Sequence, residues 1–300
     1  MGSVTPIESS ISSLDNLQLD SKTRQALQKL QDQGFEGRDL SSYLPRRLAS
    51  VLVLLYSQAG ILRVLLTTRS KNLRSHPGET ALPGGRVDEG EEKDTVSTAF
   101  REANEEVNLP YPSSASTSAI SETPIVPSTS HIHILCALTP HVAPWGIVIT
   151  PVIAYLSSPS PTEPAQTFLE LTLRANPSEV DRIFAHPLEA MVDLERLTNP
   201  EAENNDDDDD ELEDPVRKLR LRTVKLVEKG SDDWPYDEEY YNFADFDFPR
   251  LDNPSGVVRL HRFRSTASPI EGLTANILMR VATIAYGKPP APPIEPSAPK

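Results

Sequence analysis

One cysteine in 300 residues, Cys136, excludes an internal disulfide. It lies in the apolar run 131–138 and reads as a buried strand residue rather than a nucleophile. No apolar run approaches the roughly 20 residues that span a bilayer. The first twenty residues hold neither a basic start nor an apolar block, so no secretory signal is expected. No dense basic patch offsets the net charge of −15, which argues against nucleic acid as a partner. These absences agree with a soluble intracellular protein.

The charge itself is localised. Residues 201–214 carry ten acidic side chains and no basic one, so the rest of the chain stands at −5. That stretch, with Asp206 to Asp210 unbroken, reads as a disordered surface insertion over about 198–215 rather than a calcium site. The 28 prolines and several polar stretches suggest one domain, 20–287, between a flexible N-terminus (1–19) and a Pro-rich disordered tail (288–300).

Periodicity predicts helices over 20–33, 95–107 and 270–286, the last stopped by Gly287. A hairpin of strands over 49–56 and 61–68 is expected around Gly60. Further strands are expected at 132–138, 147–156, 168–173, 217–227 and 257–263. Segments 110–130 and 157–164 read as loops.

The helix over 95–107 carries the chemistry. Val96, Ala99, Phe100, Ala103 and Val107 form an apolar stripe, Asp94 or Thr95 can cap its start, and Asn108 before Pro110 suits a left-handed stop. Glu102, Glu105 and Glu106 fall at i, i+3 and i+4 and are expected together on the face opposite the stripe. An isolated Glu-x-x-Glu-Glu is usually a solvated acidic face. Here Leu82-Pro83-Gly84-Gly85 lies just upstream, and clustered carboxylates beside bare glycine backbone offer the oxygen ligands that Mg²⁺ takes together with substrate phosphates.

These residues resemble the signature of the Nudix hydrolases: a Gly, an acidic residue, then Arg-Glu-x-x-Glu-Glu-x-Gly and an apolar residue. The match runs from Gly85 to Leu109. Fifteen residues separate Gly85 from Arg101, about two more than usual, so the intermediate acid is Glu91, Glu92 or Asp94. Asn108 replaces the final glycine. Upstream, Leu65-Leu66-Thr67-Thr68-Arg69-Ser70, Arg74, Gly78 and Leu82-Pro83-Gly84-Gly85 look like the extended motif of coenzyme A diphosphatases, with Leu82 where Phe is usual. Segments 176–181 and 270–278 resemble two more parts of these enzymes.

The resemblance implies an α/β (α+β) fold, a Nudix-type α/β/α sandwich with a mixed central sheet. It also implies hydrolysis of the diphosphate of coenzyme A or a derivative to 3′,5′-ADP and 4′-phosphopantetheine. Glu102, Glu105 and Glu106 would hold Mg²⁺ or Mn²⁺, with Glu102, Glu106 and the distal Glu179 as catalytic carboxylates. Arg69, Arg74, Gly84 and Gly85 would meet the substrate, since a guanidinium fork matches phosphate geometry. Arg101 is expected to tie the helix to the acidic loop through Glu91 or Glu92. Two other readings stand beside this one: a Nudix site for another nucleoside diphosphate derivative such as NADH, an ADP-sugar or an oxidised nucleotide, and a non-catalytic nucleotide-binding module. Relatives of this subgroup are often peroxisomal, yet Ala298-Pro299-Lys300 is not the usual peroxisomal tripeptide.

Overall fold

The computed structural model describes residues 14, 16–35, 40, 43–58, 60–88, 94–112, 128–129, 131–143, 146–160, 163–198, 224–247 and 257–289. Helix α1 (Ser21–Gln31) opens on Asp20, whose carboxylate accepts the Thr23 N–H at 2.8 Å. Strands β1 (Leu48–Gln58) and β2 (Ile61–Arg69) then form the expected antiparallel hairpin. Gly60 turns between them at φ 74°, a left-handed conformation that glycine adopts without a Cβ penalty.

Strand β1 changes partner midway. Its end, Leu55 to Gln58, pairs with β2. Its start, Ala49 to Val51, pairs instead with β4 (Gly84–Arg86), which follows β3 (Thr80–Ala81) on β2. The Leu52 N–H donates to the Pro83 carbonyl at 2.8 Å. The Leu82-Pro83-Gly84-Gly85 turn is therefore held in the fork where β2 and β4 diverge.

Helix α2 (Thr95–Val107) follows, then two short parallel strands, β5 (Tyr111–Pro112) and β6 (Ser128–Thr129). Strand β7 (Ile132–Ala137), the two-residue β8 (His141–Val142) and β9 (Val148–Leu156) complete one side of the main sheet. After helix α3 (Ala165–Thr172), β10 (Val180–Pro187) closes the other side. The order is β10-β2-β1-β9-β7, with β1 and β9 parallel and the other pairings antiparallel, so the sheet is mixed.

Alternation along the central strands sends side chains to two cores. Val53, Leu55, Ile153 and Tyr155 join Leu27 and Leu30 of α1 and, from the last helix α5 (Gly272–Tyr286), Ile277, Leu278 and Val281. Leu52, Leu54, Val152 and Ala154 join Phe100 and Ala103 of α2 and Leu169 of α3. Helices thus cover both faces, as an α/β/α sandwich requires. The short α4 (Glu195–Thr198) precedes a second sheet of β11 (Tyr241–Asp247), β12 (Val257–Phe263) and β13 (Ile270–Glu271). Helix α5 (Gly272–Tyr286) ends at Gly287, φ 67°, where the sequence placed its stop. Among the described residues no helix is long and apolar enough to cross a membrane.

Several sequence expectations are corrected. Segment 168–173, expected as a strand, forms the end of α3 with Leu173 as its C-cap: Ala165 and Leu169 are the helix's buried positions, at helical spacing. In so short a run, alternation and helical period cannot be told apart. Of the expected strand 217–227, residues 217–223 lie outside the described residues and Val224 to Val227 form no strand. Leu14 is buried in the core, and its carbonyl and that of Leu17 accept the Arg24 guanidinium at 3.0 and 2.7 Å. The expectation of a flexible segment up to residue 19 therefore fails for this part, and residues 1–13 lie outside the described residues. So do residues 199–215 of the acidic insertion expected over about 198–215, and the tail from 290. Cys136 is fully buried in β7, as expected.

Candidate active site

Helix α2 is fixed at both ends by the residues its sequence suggested. Asp94 accepts the Val96 N–H at 2.9 Å and the Ser97 hydroxyl at 2.5 Å. At the far end Asn108 turns left-handed (φ 57°, ψ 33°), donating its N–H to the Asn104 carbonyl at 2.8 Å. The buried stripe of Val96, Ala99, Phe100, Ala103 and Val107 seats the helix on the sheet.

The three glutamates do not share one exposed face. Glu106 is buried, with 6% of its surface exposed, and its Oε2 accepts the Gly84 N–H at 3.2 Å. The Glu102 side chain, 15% exposed, lies against Gly85, where any Cβ would collide with the carboxylate. Glu105 points away: its carboxylate is 52% exposed and pairs with Arg101 at 3.2 Å. Positions 102 and 106 flank the apolar stripe on the same side, one turn apart, whereas 105 is rotated about 100° away from 106. Of the three glutamates expected as metal ligands, Glu102 and Glu106 meet the Gly84-Gly85 turn, while Glu105 pairs with Arg101. Among the described residues no three His, Cys, Asp or Glu side chains form a metal-holding group.

Arg101 does tie the helix to the preceding loop, by a different route from the one expected. Its Nη2 donates to the Arg86 carbonyl at 2.9 Å and pairs with Glu102 at 3.0 Å and Asp88 at 3.6 Å. Glu91 and Glu92 lie outside the described residues.

Burial pushes the Glu106 carboxyl up to about 8, against the opposing Gly84 N–H bond. The charges of Glu102 and Glu179 raise it further, and that of Arg69 lowers it. Burial also raises the Glu102 carboxyl, with Arg101 opposing. The fold thus brings Arg69, at the end of β2, and Glu179, just before β10, within electrostatic reach of Glu106. The Arg69 Nε is buried without a hydrogen-bond partner among the described residues. Arg74 is exposed on the 70–79 loop, and among the described residues nothing draws it to the glutamates.

Asn176 contributes a link that no helical or strand periodicity announces. Its N–H donates to the Glu106 carbonyl at 2.8 Å and its side-chain amide to the Glu105 carbonyl at 3.4 Å. The next turn is closed by Ser178 donating to Asn176 Oδ1. The Glu179 carbonyl accepts the Ser70 N–H at 2.8 Å, which closes the ring from α2 to β2. The sequence marked 176–181 only by its resemblance, and Asn-Pro-Ser suits the turn it forms. Behind the site Thr68, Thr80 and Ser268 share buried hydroxyl hydrogen bonds of 2.8 to 2.9 Å, which pin β2 and β3 to the entry of α5.

A buried and a partly buried carboxylate, both raised by desolvation and set against a backbone without side chains, suit a hard divalent cation, which would relieve the repulsion between them. The orphaned Arg69 Nε beside them suits a phosphate oxygen.

Residues 46–145 match the NUDIX domain, and the mixed sheet between helices is the Nudix fold. Among its relatives, Nudix hydrolase 15, mitochondrial, of Arabidopsis thaliana is 26% identical over 254 residues, 85% of this chain and 64% of that protein. The mitochondrial coenzyme A diphosphatase NUDT8 of Homo sapiens is 33% identical over 141 residues, 47% of this chain and 48% of that protein. The peroxisomal coenzyme A diphosphatase NUDT7 of Mus musculus is 31% identical over 148 residues, 49% of this chain and 50% of that protein. The chain spans about half to two thirds of the length of the curated relatives it matches.

Proposed function

We propose that this chain hydrolyses the diphosphate bond of coenzyme A or its derivatives, giving 3′,5′-ADP and 4′-phosphopantetheine or its acyl form. The observation that carries the reading is the convergence of Glu102 and Glu106 on the Gly84-Gly85 turn, with Arg69 and Glu179 in electrostatic reach. Its support for coenzyme A is the extended motif from Leu65 to Gly85 together with relatives named as coenzyme A diphosphatases.

Glu102 and Glu106 would hold Mg²⁺ or Mn²⁺, which supplies charge neutralisation on the diphosphate and a lowered pKa for water. The side-chain-free Gly84 and Gly85 leave room for phosphate oxygens close to the backbone. Arg69 receives one such oxygen and stabilises the charge that grows as the bridging P–O bond breaks. The attacking water gives its oxygen to one phosphorus and its proton to a carboxylate, Glu102 or Glu179.

The test is hydrolysis of a panel of coenzyme A, acyl-coenzyme A, NADH and ADP-ribose, with Mg²⁺ or Mn²⁺ above pH 8. The native chain is compared with Glu106→Gln. Preferred cleavage of the coenzyme A compounds, lost in the variant, is the expected result. Preferred cleavage of NADH or ADP-ribose would keep the glutamate chemistry and refute the substrate. Absence of metal-dependent turnover on every compound would favour a binding module.

A further inference from the structure

Strand β2 carries a second arginine on the face that holds Arg69. Arg63 lies six residues earlier, about 20 Å away at the strand rise of roughly 3.3 Å per residue. It lines a cavity of about 510 Å³ between α3 and the edge where β2 meets β10. The Arg63 Nε is buried and has no hydrogen-bond partner among the described residues. The groups in its electrostatic reach are the Tyr56 phenol and His186, neither of which supplies an anion at neutral pH. Burial holds its guanidinium below its usual value.

A half-buried cation whose Nε is buried without an acceptor is costly, and it stays only where something offsets it. The rest of the cavity shows what that something is. Leu169 and Ile183 give it an apolar wall, while Tyr56, Gln166 and the exposed Lys225 bring polar atoms to its lining. One carboxylate, Glu170, also lines it, but that group accepts the Gln166 amide at 2.6 Å and makes no ion pair with Arg63. The volume suits a molecule of metabolite size.

We propose that this cavity is a second ligand site, distinct from the glutamate site, for a small organic anion whose apolar body rests on Leu169 and Ile183 and whose carboxylate or phosphate meets Arg63. Nothing in this rests on the diphosphatase reading. Occupancy would neutralise Arg63 and tie the start of β2 to α3. The loop that leaves α3 carries Asn176, whose N–H holds the Glu106 carbonyl, so the two sites share one connection.

The full chain is titrated with anilinonaphthalene sulfonate, an apolar fluorescent anion, which is then displaced with octanoate, octyl phosphate, octanol or inorganic phosphate. Saturable binding is expected, displaced by octanoate or octyl phosphate well before octanol or inorganic phosphate; the stronger of the first two identifies the headgroup. Arg63→Met should weaken binding by about tenfold or more, the loss expected for one charge-assisted hydrogen bond. Gln166→Trp, which fills the cavity and leaves Arg63 in place, should do the same, and Glu106→Gln should leave binding unchanged. Unchanged affinity in a folded Arg63→Met, or displacement by octanol as strong as by octanoate, overturns the proposal. Should Arg63→Met fail to fold, retained binding in Gln166→Trp overturns it instead.

Discussion

The Gly84 amide donates to the Glu106 carboxylate at 3.2 Å, joining the turn in the β1 fork to the last turn of helix α2. The neighbouring contact, Gly85 under Glu102, has no hydrogen bond and depends on the missing Cβ. The two glycines act differently, and so should their substitutions.

Gly85→Ala should displace the Glu102 carboxylate by about the width of a methyl group. Since a misplacement of about 1 Å can cost on the order of 10²-fold in rate, kcat should fall by that order while Tm moves little. Gly85 has no left-handed φ, so no backbone strain adds to the effect. Steady-state kinetics with a thermal melt of the same sample check both parts.

Glu106 makes metal-free stability depend on pH in an unusual direction for a carboxylate. Its folded value is raised to about 8 from an unfolded 4.5, so between these pH values the folded state holds a proton that the unfolded state has lost. Stability is greatest below the lower value and falls as pH rises toward 8, at up to about 1.4 kcal/mol per pH unit. In urea titrations across pH 5 to 9, Glu106→Gln should flatten that slope and be the more stable protein at pH 9. Conversely, affinity for Mg²⁺ should climb with pH up to about 8 as binding expels the proton.

His186 sets the acid limit. It is fully buried, its Nε2 lies 2.7 Å from the Tyr240 hydroxyl, and burial holds its value down at about 3. A histidine depressed in the folded state binds fewer protons than its unfolded counterpart. Its contribution is therefore complete above about 6.5 and is lost as pH falls through that value toward 3. His186→Leu should remove this part of the acid sensitivity, at a cost of about 1–3 kcal/mol at pH 7 for the Tyr240 hydroxyl left without its partner. Chemical denaturation at pH 5 and pH 7 separates the two effects.

Phe100 seats helix α2 and is 1% exposed. Phe100→Ala should cost about 3–5 kcal/mol by transfer and cavity terms together. A fall in the urea midpoint with an unchanged m-value is the expected readout.

The parts of this molecule that the sequence disclosed are those governed by local rules. Helix α2 was legible to the residue because its stripe, its Asp94 cap and its Asn108 stop all agree. The hairpin at Gly60 and the stop at Gly287 follow from the same kind of signal. Among the glutamates, pattern alone put 102, 105 and 106 on one face, since i, i+3 and i+4 do lie close together. Which of them turns inward depends on the β1 fork, a pairing between residues more than thirty positions apart that no window of sequence contains. Strand β10 was missed as well: Asp181, Arg182 and His186 dilute its apolar character, and it is fixed instead by its ladder to β2. In β11 the aromatics Tyr241 and Phe243 did offer an alternating signal.

The parallel ladder from Leu48↔Val148 to Tyr56↔Leu156 joins residues one hundred positions apart, and its second strand begins after the NUDIX match has ended at residue 145. During synthesis the whole glutamate motif therefore leaves the ribosome before the strand that flanks β1 has been translated. At roughly 5–20 residues per second, the apolar β1 waits several seconds with one edge open and one core uncovered. A fragment cut at residue 145 would carry the motif and lack Val152, Ala154 and Leu169, which wall in Phe100. The signature by which such a chain is recognised and the unit by which it folds are therefore different lengths of polypeptide.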